Sequence, residues 1–168
     1  MPNDLYFRYM THAGYRESDW LPATEQQKQQ IKAETEVQKY IKCLDTAFTY
    51  EEIKKLLTKY WYDKNKIDRI HCIGFCYLAS EALYYLCAKD FGYKPKVHKF
   101  KNGETHWFLC NKDGKILDST SQQLRNSERK EAYKNAKFKG FLTKKPSKKC
   151  IILMSKVERI KRVNSYAN

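Results

Sequence analysis

The sequence predicts an α+β domain in which helices pack on a small antiparallel sheet. Three observations lead there. Apolar residues recur at helical spacing from about Val37 to position 90. Segments joined by glycine turns follow between Pro95 and Thr120, and helical spacing returns after Ser147. A chain of 168 residues fits one domain, 1–168, and a domain of that size buries roughly two-thirds of its unfolded surface. The 42% hydrophobic and 14% aromatic content supplies a core and excludes a chain disordered by composition.

Residues 1–23 hold Tyr6, Phe7, Tyr9, Met10, Tyr15, Trp20 and Leu21 without a period, so an irregular aromatic segment lying over the domain is expected. Thr24 caps a helix to about Thr46. Its stripe (Val37, Tyr40, Ile41, Leu44, Phe48) occupies the second half only, leaving the Gln-rich first half solvated. Thr49-Tyr50-Glu51-Glu52 fits a capping box and opens a second helix through Ile53, Leu56, Leu57, Tyr60 and Trp61, closed by a polar loop, Asp63 to Lys66. Residues 24–66 thus form a helical part, and 67–168 the core of the domain.

Gly74 turns the chain into a third helix running to about Asp90, with Ala79, Leu83, Leu86 and Cys87 inward and Gly92 in the place of a C-terminal cap. Pro95 opens a strand over 96–101, Asn102-Gly103 signals a hairpin, and strands over 104–111 and 115–120 form a second hairpin. A polar helix follows over 127–136. Pro146-Ser147 starts a final helix with a stripe of Ile151, Met154, Val157 and Ile160.

Candidate chemistry concentrates in 68–123. Cys76 lies near the first turn of the third helix, where the macrodipole and free amides favour a thiolate and can hold an oxyanion. His106 sits on one strand and Asp118 on the next, so Cys76 reads as nucleophile, His106 as general base and acid, and Asp118 as the group that orients the imidazole. Turn geometry sets a condition. A two- or four-residue loop centred on Asp113-Gly114 puts Asp118 opposite Leu109, on the face away from His106. A three-residue loop, Lys112-Asp113-Gly114, puts it opposite Phe108, on the same face as His106. Trp107 is a candidate shield for the imidazole and Gln122 a candidate oxyanion donor. Core packing for Trp107 and a solvated loop for Gln122 are the bland alternatives, as is a core role for Cys76 in a helix that also carries Cys87.

Six cysteines, at 43, 72, 76, 87, 110 and 150, are too few for a disulfide scaffold, and Cys43, Cys87 and Cys150 fall on apolar helix faces. His71, Cys72, Cys76, His106 and Cys110 offer C-x3-C and H-x3-C spacings, but an x3 interval on a strand separates ligands by about 13 Å, too far for one zinc ion without a bend. No metal or cofactor is expected. The net charge of +14 favours acidic protein, nucleic-acid or anionic membrane partners. Its excess is nearly all Lys, as coding bias in an AT-rich genome would produce, and with only seven Arg, nucleic acid is less favoured than an acidic protein or peptide substrate. The longest apolar run, Ile151 to Met154, cannot cross a bilayer, and Met1-Pro2-Asn3-Asp4 lacks a signal-peptide plan, so no membrane association and a cytoplasmic location are expected.

Cys76 through Leu83 (CYLASEAL), Thr105 through Leu109 (THWFL), Gly114 through Gln122 (GKILDSTSQ) and Gly140 through Lys149 (GFLTKKPSKK) resemble the YunG-like family, small bacterial and phage proteins without an assigned activity. The resemblance spans roughly 70–155. It implies a papain-like or transglutaminase-like core, with a location in the host cytoplasm or the virion if phage-encoded. The family has Pro after the Asp where this chain has Ser119, which bears on the strand exit more than on the chemistry. The expectation is a cysteine hydrolase or acyl transferase of protease, deamidase or transglutaminase type, acting on an amide or isopeptide. The alternative is a non-catalytic phage structural or host-interacting protein on the same scaffold, binding an acidic partner or nucleic acid through its basic face.

Overall fold

The computed structural model describes residues 6–7 and 21–166 of the chain. Contacts divide the chain into two units, residues 1–36 and 37–168. In the first, β1 (Tyr6–Phe7) pairs antiparallel with β2 (Leu21–Pro22), where an irregular segment was expected; Tyr9, Met10, Tyr15 and Trp20 of that expected segment lie outside the described residues. Helix α1 (Glu25–Ala47) starts in this unit and continues into the second. Thr24 caps it as its sequence suggests: the Thr24 amide donates to Gln27 Oε1 at 2.8 Å, and the Gln27 amide to Thr24 Oγ1 at 3.2 Å.

The second unit holds the α+β core. Val37, Tyr40 and Leu44 of α1 are buried, with Phe48 just beyond it. The single helix expected over Thr49 to Trp61 is instead two, α2 (Glu51–Lys54) and α3 (Lys59–Asp68). The Thr49 hydroxyl donates back to the Thr46 carbonyl at 2.8 Å rather than capping forward, and α2 dissolves into three-residue turns after one turn. Helix α3 takes in Asp63 to Lys66, expected as a loop, because Lys59 and Asp63 pair at 2.7 Å one turn apart and Asn65 is drawn into the core.

Helix α4 (Cys76–Leu86) is shorter than predicted. A 3-10 turn over Ala88–Phe91 follows, closed by Gly92 at φ 77°. The sheet comprises β3 (Lys94–Lys99), β4 (Thr105–Cys110), β5 (Ile116–Leu117) and β6 (Lys137–Phe138), in the order β5-β4-β3-β6 and antiparallel throughout. Strand β6 was not foreseen; at two residues, one of them Lys, it carries no readable alternation. Strand β4 is central and buried on both faces. One face packs on α4, where Trp107 meets Tyr77 edge-on, and the other on α5 (Asn126–Asn135), where Phe108 meets Tyr133.

Helix α6 (Lys148–Tyr166) is capped by Ser147, whose Oγ accepts from the Cys150 amide at 3.1 Å. The fully buried Glu81 of α4 fixes this corner by accepting from the Ser147 amide at 2.9 Å and Ser147 Oγ at 2.8 Å. The inward stripe of α6 is Cys150, Leu153, Val157 and Ile160, whereas Ile151 is 53% exposed. The predicted stripe is therefore out by one residue in its first half: the Glu81 anchor fixes the helix rotation and selects Cys150 over Ile151. No helix among the described residues is long and apolar enough to cross a membrane.

This phase is testable by urea denaturation. Leu153→Ala should lose roughly 2–5 kcal/mol, because it opens a cavity at a sealed position. Ile151→Ala, at a half-exposed position, should lose less than about 1 kcal/mol.

Candidate active site

The hairpin between β4 and β5 meets the condition set by the sequence. Leu109 lies opposite Leu117 and Cys110 opposite Ile116. Asn111 and Lys115 close a three-residue loop, with Gly114 at φ 80° in the left-handed position. Asp118 therefore emerges on the face of His106, and its Oδ2 lies 2.7 Å from His106 Nε2. Both side chains are buried, at 1% and 3% exposure.

Every lone-pair direction of this carboxylate is used. Oδ2 also accepts from the Tyr133 hydroxyl at 2.9 Å, and Oδ1 accepts from the Thr120 amide at 3.0 Å and the Thr120 hydroxyl at 3.2 Å. Burial first, then the charge of Asp118, push the Tyr133 phenol up, so Tyr133 remains a proton donor. Sequence reasoning missed Tyr133. A signal existed: Ala132 and Tyr133 are the adjoining apolar pair in a helix that is otherwise polar.

Cys76 is the first residue of α4, and no side chain caps that helix. Its Sγ donates to the Thr105 carbonyl at 3.5 Å, beside His106. Burial opposes charge on the His106 ring, but the hydrogen bond to Asp118, then that with Cys76, and the charges of both outweigh it and raise the ring from 6.5 to about 9. Asp118 takes Nε2, which leaves Nδ1 to the other neighbours of the ring. The other described cysteines are buried. Burial pushes Cys72 up to about 11 and Cys150 up to about 12, which keeps both as inert thiols.

Gly74 joins these parts. Its φ is 83°, and a Cβ there would sit 2.7 Å from Trp61 Cβ, so only glycine fits. Its amide donates to Gln123 Oε1 at 3.2 Å, and Gln123 Nε2 in turn lies 3.3 Å from His106 Nδ1. The preceding loop is held by Asn65, whose Nδ2 reaches the carbonyls of Ile70, His71 and Ile73 at 3.3, 2.9 and 3.0 Å.

Gln122 and Trp107 fall differently. Gln122 is exposed and lines the space beside His106, while its neighbour Gln123 carries the amide at the imidazole. The reason is the 3-10 turn over Ser121–Gln123, clamped by Arg129, whose Nη2 donates to the Ser121 carbonyl at 3.0 Å and the Leu124 carbonyl at 3.3 Å. Trp107 does not shield the ring. Next to His106 on a strand, it points to the opposite face and packs on Tyr77 and Phe141.

A cleft of about 630 Å³ opens beside His106 and Gln123. Trp61, Phe100 and Leu124 give it apolar wall, and charged residues of both signs line the rest. Cys76 borders the cleft through Thr105 rather than walling it. The residues weighed as zinc ligands have separate partners: His71 meets Lys54 at 3.2 Å, Cys72 the Thr120 carbonyl at 3.8 Å, and Cys110 the Asn111 carbonyl at 3.4 Å. Among the described residues, no group of three His, Cys, Asp or Glu side chains is placed to hold a metal ion.

The chain matches no family model, no curated protein and no solved structure.

Two measurements follow from this geometry. The raised His106 contributes stability that is complete below pH 6.5 and disappears as pH rises through about 9. Across that window the wild type should lose up to about 3 kcal/mol more than His106→Gln in pH-resolved urea titrations. Gly74→Ala should cost more than 1 kcal/mol in the same assay through backbone strain alone, about what a left-handed non-glycine residue costs. It should also release Gln123, seen as a changed His106 imidazole shift in NMR spectra.

Proposed function

We propose that the protein is a cysteine hydrolase or acyl transferase acting on an amide or isopeptide, with Cys76 as nucleophile, His106 as general base and acid, and Asp118 as the orienting carboxylate. The observation that carries this reading is the sealed His106–Asp118 pair at 2.7 Å, with Cys76 acting on the same ring from the start of a helix. A structural histidine has no need of a saturated buried carboxylate on one nitrogen and a partly exposed thiol by the other.

The geometry supports a defined sequence of steps. His106 Nδ1 takes the thiol proton while Asp118 holds Nε2–H, and Sγ leaves the Thr105 carbonyl to attack the carbonyl carbon of the substrate. The resulting oxyanion has two donors within reach: the free amides of the first turn of α4 and the Gln123 amide, in the role first assigned to Gln122. The C–N bond breaks, the amine departs with the proton from His106, and a thioester remains on Cys76. Water or a second amine then attacks the thioester, His106 accepts its proton, and the thiolate is released. Protease, deamidase and transglutaminase differ only in the leaving and accepting groups of these two steps.

A papain-like or transglutaminase-like descent, as the YunG-like resemblance implies, agrees with the order helix Cys, strand His, next-strand Asp. The walls of the cleft, of mixed sign, suit a protein substrate without demanding an acidic one.

The test is iodoacetamide labelling of the native protein at pH 6, with mapped peptides. Cys76 should react at least tenfold faster than free cysteine and ahead of the five buried thiols. His106→Ala should remove that advantage. A Cys76 no more reactive than free cysteine would overturn the proposal.

A further inference from the structure

Away from the cleft, the chain has an acid-free stretch. From Ala132 to Val157 there are eight lysines and no Asp or Glu. This stretch supplies the end of α5, strand β6 at the sheet edge, the connection that follows and the start of α6. Beneath it lies a groove of about 470 Å³, distinct from the cleft beside His106. Tyr84, Tyr85, Phe138 and Phe141 give it aromatic walls. Its charged lining is Lys94, Lys139 and Lys144, with no carboxylate among the described residues.

Phe138 is 57% exposed, with Lys96 Nζ 4.6 Å from its ring centre. At so exposed a site the cation–π contact stabilises the fold only slightly. The ring offers a π face beside positive charge.

We propose that this groove binds single-stranded nucleic acid without sequence preference. The groove combines a row of point charges for successive phosphates with rings on which bases stack, the pairing that such binding requires. Lysine rather than arginine fits the lack of sequence preference, because an ammonium group neutralises phosphate without the planar fork that reads a guanine edge. An acidic polypeptide would satisfy the lysines and leave the rings without a partner. An anionic bilayer is flat and would not enter a concave groove. This surface lies outside the proposed catalytic residues, so it stands or falls independently of them.

The experiment is fluorescence anisotropy of the full chain with a fluorescein-labelled oligo-dT of about ten nucleotides, titrated from about 50 to 200 mM salt. Three lysine contacts predict a log–log slope near −2 for a single strand. Phe138→Ala should weaken binding at least fivefold, and Phe138→Trp should retain it. Removing Lys94, Lys139 and Lys144 together should flatten the slope. A control triple, K39A/K42A/K112A, takes the same charge from exposed positions elsewhere and should change affinity less than about twofold. Matched thermal melts check that each variant is folded. The proposal is overturned if the control triple weakens binding as much as the groove triple. It also fails if poly-glutamate displaces the oligonucleotide at equal concentration while Phe138→Ala has no effect. Binding to phosphatidylserine vesicles but not to the oligonucleotide, or no binding at about 50 mM salt, would likewise end it.

Discussion

A carboxylate nearly sealed from water must be surrounded by donors, and Asp118 shapes the chain around that requirement. An unpaired buried charge costs several kcal/mol, more than most single contacts contribute. Four hydrogen bonds from three residues meet the demand here: His106, Tyr133 and two from Thr120. Each donor constrains an element. Thr120 can donate twice only if the chain turns immediately after Asp118, which is why β5 stops at Leu117. Tyr133 can donate only if α5 lies against the sheet, and its ring packs on Phe108 at 5.0 Å in doing so.

The opposite side of the imidazole is organised by Gly74. One residue without a side chain allows Trp61 to close over the loop, sends an amide to Gln123 and leads two residues later to Cys76. Asn65 binds three carbonyls of the same loop, so the approach to α4 is fixed by a helix outside the catalytic region. The sulfur, the ring and the carboxylate come from three elements. What aligns them is a glycine, an asparagine and a two-residue strand, none of which bears the chemistry.

The site was legible where local geometry decided the outcome. Gly114 fixes a three-residue loop, the loop fixes the register, and the register puts Asp118 on the face of His106. That chain of inference needs only the alternation of side chains on a strand. The same alternation already placed Trp107 on the far face. Gln123 was not legible, because the turn that aims it is set by Arg129 from eight residues away. The split between α2 and α3 was hidden for a comparable reason. The Thr49 hydroxyl could accept from an amide ahead of it or donate to a carbonyl behind it, and only the packed chain shows it turned back to Thr46. On α6 the pattern admitted two rotations one residue apart, and the buried Glu81, invisible to any periodicity, selected between them.

The amide of Gln123 sharpens the chemistry of the ring. Its Oε1 is committed to the Gly74 N–H, so Nε2, a donor, faces His106 Nδ1. A donor in that place suits a neutral ring whose proton sits on Nε2 toward Asp118. Asp118 and Cys76, by contrast, draw the ring toward its doubly protonated form, and their pull is the larger. The site thus holds two opposed preferences on one nitrogen. In the proposed reaction such a ring would accept the sulfur's proton and return it to the departing amine, with the Gln123 NH2 turning toward the oxyanion as Nδ1 becomes a donor. Gln123 forms part of the cleft wall. Tyr133 adds a second donor on Oδ2, which fixes the carboxylate in place against His106 Nε2.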